Sequence, residues 1–195
     1  MDGSNPDGRL DRRAGDSFLR ERGYIRQINH QQMEQREIKF TIDTYPSGEA
    51  LSEGDAALLE AARRVTAQSY APYSRFRVGA FARLANGETV SGTNQENASF
   101  PAGICAERVL LSAAASLYPG VAIRTLAISY HNELGPSDRP VSPCGICRQS
   151  LVEFQQRTGQ PIRLILGGQT GPVLVIPDAK DLLPLVFSAQ DLEKS

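Results

Sequence analysis

The 195-residue sequence predicts an α/β domain of three layers, α/β/α, built around one mixed sheet of about five strands. Three observations support this fold class. The length suits one domain with a sizeable core. Helical and strand-like segments alternate along most of the chain, which is typical of a sheet covered by helices. Short, strongly apolar runs at 121–130, 162–166 and 173–176 have the character of sheet strands.

The first 36 residues differ from the rest of the chain. They are polar and weakly periodic, so we predict a flexible N-terminal extension (1–36) before a single domain (37–195). Two hypotheses remain open for residues 1–32: they are a genuine disordered extension, or Met33 is the natural start and they are not native. The first thirty residues lack the apolar core of a signal peptide, and the sequence contains no membrane-spanning apolar run.

The first elements follow from capping and periodicity. Residues 37–44 alternate enough to form a short strand or arm. Ser52 and Asp55 resemble a capping box that opens a helix extending to about Tyr70, where Pro72 ends it. Apolar residues recur at helical spacing and predict the buried stripe of this helix: Leu58, Leu59, Ala62 and Val65.

A hairpin comes next, with strands at 77–85 and 88–93 joined by an Asn86-Gly87 turn. It places Asn94 and Glu96 just past a strand end. An amide and an acid in that position suit the recognition of hydroxyl groups, although Asn is also common in turns. The remaining helices and strands are predicted at 103–117, 121–130, 144–157, 162–166, 173–176 and 178–183.

All three cysteines of the chain lie in two short stretches, Cys105 in the first and the Cys144-x-x-Cys147 pair in the second. Zinc binds thiolates readily, and helix N-termini lower thiol pKa values. Three protein ligands leave a fourth position for water, whose pKa zinc lowers to roughly 7. Glu107, two residues after Cys105, can shuttle the protons of that water. The pattern therefore favours a catalytic zinc site.

Other interpretations of the cysteines are weaker. A lone C-x-x-C also occurs in redox pairs and structural zinc sites. A structural site usually has four Cys or His ligands, and His30 and His131 lack ligand spacing to the cysteines. An odd cysteine count in a chain of this length excludes a disulfide scaffold. Free thiols suited to metal indicate a reducing compartment, so we expect a cytoplasmic protein.

The segments Cys105-Ala106-Glu107 and Pro143-Cys144-Gly145-Ile146-Cys147 match the signature of zinc deaminases. Together with YAPYSRFRVGA, NQENASFPAGICAER and SPCGICRQ, residues 50 to 192 resemble the small, homotetrameric, all-cysteine cytidine deaminases. The resemblance implies one Zn²⁺ per chain and hydrolysis of the C–N bond of cytidine and 2′-deoxycytidine. The products are uridine or 2′-deoxyuridine and ammonia, as in pyrimidine salvage. The resemblance further implies attack of a zinc-bound hydroxide on C4, with Glu107 as proton shuttle.

The same resemblance assigns the other site residues. Asn94 and Glu96 match the positions that bind the ribose hydroxyls, and Phe76 matches the aromatic that packs on the pyrimidine. The Ala106 backbone N–H is expected to contact the base carbonyl. Arg108 and Arg148 are expected to donate hydrogen bonds to the thiolates and offset their negative charge. Phe187, in a LLPxxF-like tail, is expected to reach a neighbouring subunit's active site in a homotetramer with shared sites.

Two features depart from the family pattern: Phe100 replaces the Tyr of many members, and the loop at 132–142 is somewhat long. A deaminase acting on a nucleotide or on a cytosine-containing antibiotic remains an alternative, although Glu96 argues weakly against a phosphate. The net charge of −1 provides no basic groove for a nucleic-acid partner. A non-catalytic zinc interaction module would not account for Glu107, Asn94 and Glu96 together. The preference between cytidine and 2′-deoxycytidine stays open.

Overall fold

A computed structural model of the protein describes residues 33–192. The predictions about residues 1–32 lie outside this range. The chain divides after Glu37, and the elements named here belong to the part from Ile38 onward. The strands are β1 (Asp43–Tyr45), β2 (Phe76–Leu84), β3 (Thr89–Thr93), β4 (Ile123–Asn132), β5 (Arg163–Gly167) and β6 (Val173–Ile176). The helices are α1 (Glu53–Val65), α2 (Ala106–Leu117) and α3 (Gly145–Thr158).

The six strands form one sheet in the order β1-β6-β5-β4-β2-β3. Only β4 and β5 pair in parallel, so the sheet is mixed, as predicted. The predicted count of about five strands is one too low. The sixth is β1, an edge strand of three residues in which Asp43 pairs with Val175. It overlaps the end of the short strand or arm predicted at 37–44, but the strand begins only at Asp43.

Helices cover both faces of the sheet, which confirms the predicted α/β/α layers. On one face, α1 buries Leu58, Leu59 and Ala62 against Ile165 and Val175. On the other face, the apolar sides of α2 and α3 pack on β2, β4 and β5. Val65, the last residue of the predicted α1 stripe, is only half-buried.

Tertiary pairing explains where α1 ends. Ser52 caps the helix by accepting a hydrogen bond from the Asp55 N–H at 3.3 Å, as predicted. The helix ends at Val65 and a 3₁₀ turn follows to Gln68, rather than helix to Tyr70. The backbone N–H of Tyr70 instead donates to the Asn94 carbonyl at 3.1 Å, which draws the chain out of the helix and onto the strand end.

The start of α2 is also later than predicted. Residues 100–102 form a 3₁₀ turn, and Gln95 and Ile104 exchange backbone hydrogen bonds of 2.9 and 3.0 Å. The helix therefore begins at Ala106 rather than Gly103. The last predicted helix is a 3₁₀ turn, Ala179–Leu182. Among residues 33–192, no helix is both long and apolar enough to cross a membrane.

A glycine lets α2 approach the sheet closely. A Cβ atom built on Gly92 of β3 would lie 2.4 Å from the Ala106 carbonyl oxygen and 2.5 Å from the Leu110 backbone nitrogen. Real Cβ atoms do not come so near to backbone atoms. The absence of a side chain at Gly92 therefore determines how closely the first turn of α2 approaches the sheet.

Candidate metal centre and substrate cavity

The N-termini of two helices meet at one end of the sheet. Cys105 is the N-cap residue of α2, Cys144 is the N-cap residue of α3, and Cys147 lies in the first turn of α3. Their sulfur atoms all lie within 4.8 Å of one another. The Sγ atoms of Cys105 and Cys144 are 3.8 Å apart, and those of Cys144 and Cys147 are 3.5 Å apart. The structure thus brings the three predicted ligands together.

This cluster has the dimensions of a zinc site. Zinc bonds thiolates at about 2.3 Å in tetrahedral geometry, which separates the sulfur atoms by about 3.8 Å. The two measured separations lie at or slightly below this value. Three thiols fit one Zn²⁺ per chain and leave the fourth coordination position to a molecule in the adjoining cavity.

The hydrogen bonds of the cluster favour loss of the Cys105 proton and retention of the Cys147 proton. A hydrogen bond from Cys147 lowers the pKa of Cys105 to about 6, and the charge of Arg108 acts in the same direction. The same hydrogen bond raises the pKa of Cys147, because Cys147 is the group that keeps the proton. Helix N-termini also favour thiolates. Metal binding therefore releases protons from this cluster.

Glu107, the second residue of α2, is only 5% exposed. The residue lines the same cavity as Cys105 and Cys144. Burial raises the pKa of Glu107, which brings the neutral and charged forms closer in free energy near neutral pH. A carboxyl group with these properties, next to a metal site, can accept and return protons.

The cavity has a volume of about 230 Å³. Six predicted site residues line it: Phe76, Asn94, Cys105, Ala106, Glu107 and Cys144. The rings of Phe76 and Tyr130 stack with centroids 4.7 Å apart and an angle of 12° between their planes. This stacking fixes the orientation of Phe76 in the cavity wall.

Asn94 and Glu96 are both held by backbone groups. The Asn94 Oδ1 atom accepts from the Val78 N–H at 2.7 Å, and its Nδ2 atom donates to the Phe76 carbonyl at 2.9 Å. Glu96 is not part of the cavity wall. One of its carboxylate oxygens accepts from the N–H groups of residues 73 and 74, at 2.8 and 3.2 Å. Burial raises the pKa of Glu96, but these bonds and one from the Ser74 hydroxyl more than offset it.

The other predicted residues, Arg108, Arg148 and Phe187, do not line the cavity. The Arg148 guanidinium donates to two carbonyls, of Pro143 at 2.9 Å and of Leu182 at 3.1 Å, and so fixes the segment that precedes Cys144. Arg108 lies in a groove between α2 and α3. Phe187 is 60% exposed and does not line the cavity of its own chain.

Sequence reasoning missed four residues of the cavity wall: Val78, Ile128, Val141 and Ser142. Strand alternation offered a signal for Val78, because it shares a face of β2 with Phe76. Ile128 lies opposite Ala80 on the neighbouring strand β4, a pairing that requires the sheet register. Val141 and Ser142 precede the second ligand stretch and were assigned only to its loop.

Comparison with known proteins agrees with this geometry. Residues 52–159 match the family model of the cytidine and deoxycytidylate deaminase zinc-binding region. The cytidine deaminase of Halalkalibacterium halodurans is 36% identical over 137 residues, covering 69% of this chain and 95% of that protein. The blasticidin-S deaminase of Bacillus cereus is 28% identical over 140 residues, covering 71% of this chain and 95% of that protein.

A solved structure is similar over the same region. The crystal structure of cytidine deaminase from Burkholderia pseudomallei matches with a TM-score of 0.59 and 36% identity. The match covers 70% of this chain and the whole of that chain. With the three-thiol cluster and its neighbouring carboxyl group, these matches show that the chain belongs to the cytidine and deoxycytidylate deaminase family.

Proposed function

We propose that this chain is a zinc-dependent cytidine deaminase that hydrolyses cytidine and 2′-deoxycytidine to uridine and 2′-deoxyuridine, with release of ammonia. One observation supports this most strongly: the buried Glu107 carboxyl shares a cavity with Cys105 and Cys144 of the thiol cluster. The cytidine deaminases similar to this chain over two thirds of its length support the choice of substrate.

Cys105, Cys144 and Cys147 would hold the zinc ion. Bound there, zinc would supply Lewis-acid chemistry, lowering the pKa of a water molecule at the open coordination position. Glu107 takes one proton from the attacking water and delivers it to N3 of the cytosine ring. It then takes the remaining proton of the hydroxyl group added at C4 and delivers it to the amino group, so that ammonia leaves as the C4 carbonyl forms. Its raised pKa suits this work, because the carboxyl must hold the proton between the two transfers.

The base and the sugar are held by groups around this centre. The flat face of Phe76 packs on the pyrimidine ring. Ala106 is the first residue of α2, so its N–H has no partner within the helix and can donate to the base carbonyl. Asn94 lines the cavity and offers a donor to the sugar hydroxyls. Glu96, which lies outside the cavity wall, is proposed as their acceptor. Arg108 supports the thiolate charge, and Arg148 fixes the position of Cys144 through the Pro143 carbonyl.

The enzyme is further proposed to be a cytoplasmic homotetramer with shared active sites, in which Phe187 reaches the cavity of a neighbouring subunit. The exposed apolar side chains of Leu185 and Phe187 support this, because an apolar tail in water favours burial against a partner. Sedimentation should give four chains per particle, and Phe187→Ala should raise KM. A fully active monomer would contradict the shared site.

The deciding experiment follows the fall in ultraviolet absorbance when cytidine is added to protein of known zinc content. Glu107→Gln should keep one zinc per chain but lower kcat by about 10³-fold, within the range of general acid–base catalysis. Glu153→Gln is the matched control, because Glu153 is an exposed acid on α3. Near-normal turnover by the Glu107 variant would contradict the proton-shuttle role, and turnover of cytidine 5′-phosphate alone would reassign the substrate.

A further inference from the structure

The hydrogen bonds around Asn94 determine which of its groups can meet a ligand. Oδ1 accepts two bonds, from the Val78 N–H at 2.7 Å and from the Ser69 hydroxyl. Nδ2 donates one bond, to the Phe76 carbonyl at 2.9 Å. Turning the amide over would place its Nδ2 group against the Val78 N–H. A backbone N–H can only donate, so two donors would then face each other. One N–H of Asn94 therefore remains for a ligand, and this residue is a donor in the cavity.

Hydrogen bonds hold the backbone of Ser69 in place, so its hydroxyl can reach few acceptors. The residue is 5% exposed, and its N–H donates to the Thr66 carbonyl at 3.1 Å. Its own carbonyl accepts from Arg77 at 2.7 Å, and Arg77 pairs with Glu133 beyond β4. With the backbone held at both ends, the hydroxyl has two acceptors in reach, Oδ1 of Asn94 and the Asn94 carbonyl oxygen at 3.2 Å.

That carbonyl oxygen already accepts the Tyr70 N–H at 3.1 Å, and the contact of the hydroxyl with Oδ1 is the shorter of its two. The hydroxyl proton of Ser69 is therefore assigned to Oδ1. This bond fills the second lone pair of Oδ1 and opposes rotation of the amide about its last bond. Without it, the Val78 N–H alone would hold the oxygen end of the side chain.

We propose that Ser69 is a positioning residue: it orients the Asn94 amide so that its free N–H donates to a sugar hydroxyl of the substrate. The inference rests on the proposed cytidine deaminase function. Ser69 is not among the residues that line the cavity, and its hydroxyl bonds Asn94 alone, so we expect its effect to be confined to substrates that have the hydroxyl. A purely structural role would affect all substrates alike.

The test compares kcat/KM for cytidine with kcat/KM for 2′,3′-dideoxycytidine, which has the same base but lacks both sugar hydroxyls. The ratio of the two constants is independent of the fraction of active protein, so a partly unfolded variant still gives an answer. Ser69→Ala should lower kcat/KM for cytidine about fivefold, as expected for one hydrogen bond. It should change the value for the dideoxy substrate less than about twofold, and the ratio should fall accordingly.

Two further variants complete the experiment. Asn94→Ala should lower the ratio further than Ser69→Ala does, because it removes the donor itself, while Glu96 can still accept from a sugar hydroxyl. Thr66→Val is the matched control: Thr66 is also buried, and its hydroxyl donates to the Arg63 carbonyl at 2.7 Å, away from Asn94. This control should lower both constants in proportion or neither.

The possible failures are distinct. If Asn94→Ala lowers the ratio and Ser69→Ala does not, Ser69 has no positioning role. If the ratio of the unchanged enzyme is already near one, Asn94 has no part in sugar binding and the inference about Ser69 falls with it. If zinc-loaded protein deaminates neither nucleoside, the proposed function itself is wrong.

Discussion

Gly92→Ala should push the first turn of α2, which carries Glu107, away from the sheet. The added Cβ would lie 2.4 Å from the Ala106 carbonyl oxygen and 2.5 Å from the Leu110 nitrogen, whereas ordinary contacts begin at 3.4 Å. The first turn of α2 must therefore move by about 1 Å. Because both obstructing atoms belong to the backbone, no side-chain rotation can relieve the overlap, and Glu107 moves with the turn.

The magnitude follows from this displacement. A misplacement of about 1 Å in a catalytic group can lower the rate about 100-fold. Forcing an extra methyl group into a packed core costs about 1–3 kcal/mol of stability. The smaller entropy of the unfolded chain with Ala returns at most about 1 kcal/mol. We therefore expect a lower Tm together with a loss of kcat/KM near 100-fold.

The assay measures cytidine turnover, zinc content and thermal unfolding for Gly92→Ala beside Gly145→Ala. Gly145 is the matched control, because it lies between two metal ligands but a Cβ there would meet nothing within 4 Å. The control should keep zinc, activity and Tm close to those of the unchanged enzyme. A Gly92 variant with kcat/KM within threefold of the unchanged enzyme would refute the reasoning that this contact sets the depth of α2.

Two further predictions concern the metal and an ion pair. Removing zinc with a chelator should abolish turnover and lower Tm, because metal binding stabilises the folded state. Adding zinc back should restore both. Activity that survives complete removal of the metal would contradict its role. Asp55 and Arg163 form two hydrogen bonds of 2.8 Å. Burial raises the pKa of Asp55, but the guanidinium more than offsets this effect. The pKa of Asp55 therefore lies below its ordinary value of 3.8. The pair therefore stabilises the fold above pH 3.8 and loses its effect as the pH falls through the lower, folded-state pKa. Asp55→Asn should reduce the free energy of unfolding by about 1 kcal/mol at pH 7, and urea titrations should show this difference shrinking in acid; a constant difference would contradict the assignment.

The parts of the molecule that sequence reasoning predicted are those with local causes. The metal ligands were found because Cys144 and Cys147 lie one helical turn apart and Cys105 precedes a second helix start. The cap at Ser52 and the Asn86-Gly87 turn likewise depend on a few neighbouring residues. Patterns of this kind survive in the structure because no distant contact competes with them.

The parts that were missed depend on distant contacts. The end of α1 is set by hydrogen bonds from the Ser69 hydroxyl and the Tyr70 N–H to the Asn94 carbonyl, some 25 positions away, which local helix propensity cannot reveal. Ile128 joins the cavity only through the register of β2 and β4. Ser69 gave no signal in the sequence, because a serine after a helix is ordinary and its importance comes from the acceptor that the hairpin places beside it.

The position of the thiols along the chain gives the metal centre a second consequence. Cys105 and Cys144 are 39 positions apart, and the chain between them contains α2 and β4. Joining two such points closes a loop, and closing a loop of this size removes conformational entropy worth roughly 4 kcal/mol from an unfolded chain. The ion that activates water is thus also a cross-link, and the strand enclosed by it, β4, lies between β5 and β2 in the interior of the sheet.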